Sequence, residues 1–169
     1  MKILKGIGVV LGGLIIAIAL ALFAIRFADG PVEIIAGGPF TSGEKVNGAE
    51  PDWGFIRDKQ TVEFQLLEPA RSRTTWIVEH QGKIYIPCGY MTTTWGKIWK
   101  KWPIEAEKDG RAILRVDGKL YERQLVRIQT GPELDPVLKL IGEKYNIPTT
   151  REAVDSGYLW VFQMAPRNA

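Results

Sequence analysis

The stretch Arg73-Thr-Thr-Trp-Ile-Val-Glu-His-Gln-Gly-Lys-Ile-Tyr-Ile86 decides the fold. Thr75 to His80 and Lys83 to Cys88 are rich in β-branched and aromatic residues, and Gln81-Gly82 between them supplies the positive-φ position of a tight hairpin. A second hairpin follows the same logic: Ala112 to Val116, then Asp117-Gly118, then Leu120 to Gln129. Upstream, Val62, Phe64 and Leu66 alternate with polar residues as in a half-buried strand that ends at Pro69. Downstream, Tyr158, Trp160, Phe162 and Met164 fall on one face of a closing strand.

Helical spacing appears in three places between these strands. Trp95, Ile98, Trp99 and Trp102 recur at i, i+3, i+4 and i+7, opposite Lys97, Lys100 and Lys101, which predicts a helix with an apolar face turned to the core. Asp135 as N-cap and Pro136 at the first helical position open a second helix that buries Val137, Leu138, Ile141 and Tyr145 and stops before Pro148. Thr149 and Glu152 have the spacing of a capping box for a short third helix ending at Gly157. About six strands joined mostly by hairpins, with two or three short helices between them, make a mainly β (α+β) chain forming an antiparallel barrel or sandwich. A parallel α/β sheet is excluded, because it requires helical crossovers where this chain has hairpins.

The N-terminal part reads differently. Gly6 to Ile25 carries no charge, and 20 residues at about 1.5 Å each cover roughly 30 Å, the hydrocarbon thickness of a bilayer. Lys2, Lys5 and the terminal amine precede it, while Arg26 behind it is soon offset by Asp29 and Glu33, so the positive-inside bias places the N-terminus in the cytoplasm and the rest of the chain outside. The expectation is one transmembrane helix in the cell (inner) membrane, with a periplasmic or other extracytoplasmic domain. A cleaved signal peptide shares the charged start and apolar middle, but the small-residue pattern Ala19 to Ala21 lies inside the apolar run rather than after it. Gly8 and Gly12 form a GxxxG pair, and Gly13, Ala17 and Ala21 continue a row of small residues on which another helix could pack. Three segments follow: 1–28, the cytoplasmic N-terminus and membrane helix; 29–53, a Gly- and Pro-rich arm; and 54–169, the β-rich domain.

Charge sharpens the picture. All 19 Asp and Glu and 19 of the 22 Lys and Arg lie beyond Ala28, so the β-rich part is formally neutral. The total of +3 comes from Lys2, Lys5 and Arg26. No basic face for nucleic acid is implied, and a single apolar span excludes a polytopic transporter.

Few residues point to chemistry. His80 is the one histidine, which excludes a histidine-rich metal site, and no serine stands in a nucleophile-elbow sequence. Cys88 is alone and expected to be a buried strand thiol. Gly38 to Lys45 has the two glycines of a phosphate-binding loop, but Glu44 stands where the lysine belongs, so the match is accidental. Six tryptophans are expected mainly in the core; Trp53, in irregular sequence, is the one assigned to lipid headgroups or a partner.

The run from Ala70 to Gln129 resembles the FMN-binding split-barrel superfamily, which includes pyridoxamine-phosphate-oxidase-like proteins and deazaflavin-dependent nitroreductases. The resemblance is carried by Arg73 to Ile86, by the basic turn Gly96-Lys97-Ile98-Trp99, by Ala112-Ile-Leu-Arg-Val-Asp-Gly-Lys-Leu-Tyr-Glu122, by Lys144-Tyr145 and by Ala165-Pro166. It implies an antiparallel split β-barrel and an FMN or deazaflavin phosphate held at a dimer interface. Position by position, Arg73 would match the strand arginine, Thr93 or Thr94 the hydroxyl, and Lys97, with Lys100 beside it, the helix lysine.

Two roles follow. The first is a membrane-anchored β-barrel module serving as a binding or accessory subunit beside another membrane protein or a second copy of the chain. The second is a membrane-tethered flavin- or deazaflavin-dependent oxidoreductase.

Overall fold

The computed structural model describes residues 2–167. The side chains of residues 2–5, including the charges expected on Lys2 and Lys5, lie outside the described ones, as do Met1, Asn168 and Ala169. Helix α1 (Lys2–Ile25) precedes the β-rich body, and its large apolar side chains from Ile7 to Phe23 are exposed, with Leu22 reaching the edge of the barrel cavity. Its Gly6–Ile25 segment is long and apolar enough to cross a bilayer. Among the described residues nothing lies within 4 Å of a Cβ placed at Gly8, Gly12 or Gly13, and Ala17 and Ala21 are exposed, so this small-residue row is open to a second helix.

The body is built on strands β1 (Glu44–Lys45), β2 (Thr61–Leu67), β3 (Ala70–Trp76), β4 (Val78–His80), β5 (Lys83–Cys88), β6 (Arg111–Val116), β7 (Lys119–Ile128) and β8 (Trp160–Pro166). Their order in the sheet is β3-β2-β6-β7-β8-β5-β4, antiparallel throughout, with the two-residue β1 added in parallel to β7. The outermost strands β3 and β4 are consecutive in the chain and separated by Ile77 alone. A flat seven-stranded path would hold its two edges far apart, at about 4.8 Å per strand, so the sheet must curl until the edges meet. The result is the expected antiparallel barrel, split along the line where β3 and the end of β5 face each other without pairing.

Two strands exceed the expected six. Ala70 to Trp76 pairs with β2 over its whole length, a strand hidden in the sequence because its charged and hydroxyl residues lack apolar alternation. The expected strand from Thr75 to His80 breaks at Ile77, where the chain passes from one edge of the barrel to the other. Both tight turns form as expected: Gln81 and Gly82 have φ of 51° and 74°, Asp117 and Gly118 of 50° and 73°, the left-handed pair of a two-residue hairpin.

Alternation sorts the buried residues into two clusters. Ile84, Ile86, Phe64, Leu114, Leu125 and Phe162 fill the barrel with Trp53 and Trp102. Tyr85 and Val161, from the opposite faces of β5 and β8, pack under helix α4 (Leu134–Tyr145) with Leu134, Val137, Leu138 and Ile141. Helix α4 begins one residue before the expected cap: Glu133 is the N-cap position and Asp135 lies in the first turn. Helix α5 (Arg151–Asp155) is capped by the Thr150 hydroxyl, which accepts from the Ala153 N–H, while Thr149 donates to the Leu138 carbonyl.

The expected tryptophan helix is corrected. It is two helices, α2 (Thr94–Trp99) and α3 (Trp102–Lys108), because the chain turns at Lys100-Lys101 and Pro103 starts a new first turn. Trp102 alone of the four enters the barrel, against Phe64 and Phe162; Trp95, Ile98 and Trp99 are 77%, 61% and 63% exposed. Trp53, assigned from sequence to a surface, is instead 1% exposed, with Arg123 over its ring and Tyr121 edge-on to it.

The 29–53 arm is stitched to the barrel. Arg115 reaches Asp29 at 3.0 Å and Glu63 at 2.6 Å, Gly37 donates to the Ser72 carbonyl at 3.1 Å, and Gly38 donates to the Ala28 carbonyl at 3.1 Å. These bonds fix the end of α1 beside edge strand β3.

Candidate functional site

Strand β3 pairs Phe64 with Arg73 and Leu66 with Arg71. Directly paired residues share a face, and Phe64 and Leu66 belong to the interior cluster. Arg71 and Arg73 therefore lie on the inner side of the edge strand, at the split. Across it, β5 pairs with β4 only as far as Tyr85, leaving Ile86, Pro87 and Cys88 bonded to β8 alone. Pro87 has no N–H to offer β3, which keeps the seam from zipping shut.

A cavity of about 670 Å³ occupies this split. Its charged lining is Arg26, Arg71, Arg73 and Lys100, with no Asp or Glu among the lining residues. Trp76, Tyr90, Trp99 and Trp102 supply aromatic wall, and Leu22 and Ile34 line the side nearest α1. The volume lies within the range of about 300–1,000 Å³ typical of small-molecule sites. A larger groove of about 790 Å³ runs past Asp29, Lys59 and Arg115. Its cations are already paired, Arg115 with Asp29 and Glu63 and Lys59 with Asp117, so among the described residues it has no unpaired cation to direct at an anionic ligand.

The cations of the split are poorly compensated. Arg73 donates to the Arg71 carbonyl at 3.0 Å and reaches Glu105 at 3.3 Å. Burial pushes its guanidinium down to about 10 despite the opposing pull of Glu105. Arg71 donates to the Ala36 carbonyl, but its Nε is buried without an acceptor. Burial lowers its pKa, and the positive charge of Arg26 lowers it further. Lys100 gives its ammonium to the Gly89 carbonyl at 3.0 Å and stands over the Tyr90 ring. Cys88, on the cavity wall, is raised to about 11 by burial, which outweighs Lys100 and Arg73, so it is a neutral thiol rather than a nucleophile.

Tyr90 holds the rim in a left-handed conformation, φ 65°, unusual for a bulky residue. Its carbonyl accepts from the N–H and hydroxyl of Thr93, and the next N–H, of Met91, donates to the Tyr158 carbonyl. Gly96 packs so close that a Cβ there would stand 1.7 Å from the Tyr90 oxygen. Helix α2 is thereby pinned to this turn and carries Trp99 and Lys100 to the cavity.

Of the residues implied by resemblance, Arg73 and Lys100 share the cavity. Thr93, Thr94 and Lys97 are not part of its lining. The Thr93 hydroxyl caps α2, accepting from the Gly96 N–H at 3.0 Å, while Thr94 and Lys97 are exposed. The sequence reading missed Arg71 and Arg26. Arg71 was accessible in principle, since residues i and i+2 share a strand face, had Ala70 to Trp76 been read as a strand. Arg26 joins only because the arm folds back.

No protein-family model matches the chain, and no curated protein matches it. Among solved structures it is similar to the conserved hypothetical protein Rv2991 from Mycobacterium tuberculosis, with 14% identity and a TM-score of 0.48, over 77% of this chain and 86% of that one. It is also similar to a NimC/NimA family protein from Clostridium acetobutylicum, with 14% identity and a TM-score of 0.44, over 64% of this chain and 76% of that one. A third is HutZ, the heme storage protein from Vibrio cholerae, with 11% identity and a TM-score of 0.43, over 71% and 91%.

Proposed function

We propose that this chain is a membrane-anchored binding module whose barrel split holds an anionic ligand with a flat ring system, of the flavin mononucleotide or deazaflavin class. The observation that carries the proposal is the set of four cations lining one cavity without a lining carboxylate. Crowded like charges in a partly buried site destabilise one another, and an anion relieves them. Arg73 and Arg71 would hold the phosphate, with Lys100 adding charge from across the split. Trp76, Tyr90 and Trp99 offer faces and edges to rings. When bound, such a group would supply hydride or electron transfer.

The alternative, an accessory subunit of a membrane complex, draws its support from the uncovered small-residue face of α1. Both readings take α1 as an uncleaved anchor, with the barrel outside the cell membrane.

The test is a melting curve and an absorption spectrum of the full chain purified in mild detergent, with and without FMN or a deazaflavin. A ligand at 100 times its Kd adds about 2.7 kcal/mol, a rise of roughly 5–10 °C for a domain of this size. The rise should vanish in Arg71→Ala/Arg73→Ala. A colourless protein that neither ligand stabilises, and that co-purifies with a fixed membrane partner, sinks the ligand-binding reading in favour of the accessory one.

A further inference from the structure

Among the described residues, the apolar face of α2 is left largely uncovered. Trp95, Ile98 and Trp99 lie on one side of the helix, one turn apart, all more than half exposed. Lys97 projects on the other side, and Lys100 and Lys101 follow the helix. Exposed Tyr90 and Ile34 extend the apolar surface, Ile34 at 84% exposure. In water such a patch is a liability.

Its depth relative to α1 follows from shared contacts with the cavity. Trp99, Ile34 and Leu22 line the same cavity. Leu22 belongs to the Gly6–Ile25 segment that is apolar enough to lie at hydrocarbon level. The Gly38 N–H bonds the Ala28 carbonyl, the Gly37 N–H bonds the Ser72 carbonyl of β3, and Gly96 packs on the Tyr90 turn, so the end of α1 and helix α2 are both tied to the barrel. A helix end leaving the bilayer at Ile25 thus brings α2 to the level of the lipid headgroups, where tryptophan and tyrosine are favoured.

We propose that α2 is a second membrane contact: its Trp95, Ile98 and Trp99 face lies in the headgroup layer of the leaflet that α1 leaves, with the split of the barrel opening onto that layer. The occupant of the patch is the lipid surface. An apolar face of tryptophan and isoleucine backed by lysines suits an anionic membrane, where a helix lies in the plane of the interface. This inference rests on reading α1 as a membrane span.

The experiment uses the full chain reconstituted into vesicles of phosphatidylcholine and phosphatidylglycerol, some carrying a spin label at headgroup depth. Tryptophan emission is expected to be quenched by the shallow label, and the quenched fraction should fall at least twofold in Trp95→Phe/Trp99→Phe. Independently, an environment-sensitive dye on Ile98→Cys should shift its emission to the blue on reconstitution. The native thiol, Cys88, is buried and stays unlabelled. If the protein floats with the vesicles but neither signal appears, the α2 contact is overturned while the membrane span stands. If it does not float, the span fails, and this inference with it.

Discussion

The guanidinium of Arg73 lies 3.3 Å from the carboxylate of Glu105, the one ion pair made by any of the four cavity cations among the described residues. Both side chains are largely shielded, at 17% and 27% exposure. Glu105→Gln should cost about 1–2 kcal/mol, below the full penalty of orphaning a buried ion because solvent still reaches both groups. The same change should tighten binding of a phosphate-bearing ligand, since the competing carboxylate is gone. Chemical denaturation and a ligand titration on one preparation read both effects; weaker binding in Glu105→Gln would contradict the electrostatic account.

Tryptophans only a few residues apart should behave in opposite ways. Trp102 sits in the barrel against Phe64, with ring centroids 4.9 Å apart. Trp102→Ala should lower stability by about 3–5 kcal/mol, and Trp53→Ala by a similar amount. Trp95→Ala should stay within about 0.5 kcal/mol of the native protein in detergent. Equal losses at Trp95 and Trp102 would mean that α2 is packed rather than exposed.

Alkaline pH should destabilise the fold through Cys88. Its folded pKa, about 11, is above the ordinary 9.0. Between those values the unfolded chain has released the thiol proton and the folded one still holds it, so unfolding becomes more favourable as pH rises. The stabilising contribution is intact below pH 9 and lost as pH climbs to about 11. Tyr85, raised by burial and its bond to Glu133, acts in the same direction at higher pH. Melting temperatures of wild type and Cys88→Ala, compared at pH 8 and pH 10, should converge on going up. Cys88 should resist alkylation in the folded state at pH 8 and react on unfolding.

Tyr90 trades stability for its place on the cavity rim. Tyr90→Gly removes a left-handed strain of about 1–3 kcal/mol, offset by loss of the Tyr158 edge contact and the Lys100 interaction. Its melting temperature should lie near that of the wild type while ligand affinity drops. A large loss of stability would show that the side chain is structural.

The hairpins at Gln81-Gly82 and Asp117-Gly118, the alternating cores of β2, β5 and β6, and the apolar run of α1 follow from local chemistry: a turn type demands its φ values, a buried strand face its alternation, a long helix its length. They were legible for that reason. Local pattern failed where neighbours in space overruled neighbours in sequence. Strand β3 has little apolar alternation because its inner face holds Arg71 and Arg73 at an opening rather than in a closed core. Trp53 enters the core because Arg123 and Glu50 bracket it, Glu50 accepting from the indole N–H at 2.8 Å. The evenly spaced Trp95 to Trp102 stripe breaks because Pro103 restarts the helix and only the last ring finds a cavity to fill.

Sequence alone determined a β-rich antiparallel body, an apolar helix before it, and Arg73 as a cation worth watching. Tertiary structure decided that Arg26, Arg71, Arg73 and Lys100, from the end of α1, one edge strand and the end of α2, face a single opening. No spacing rule links those positions. They meet because a curled sheet brings its first and last strands together across Ile77, and because the arm folds back to set the end of the apolar helix beside the seam.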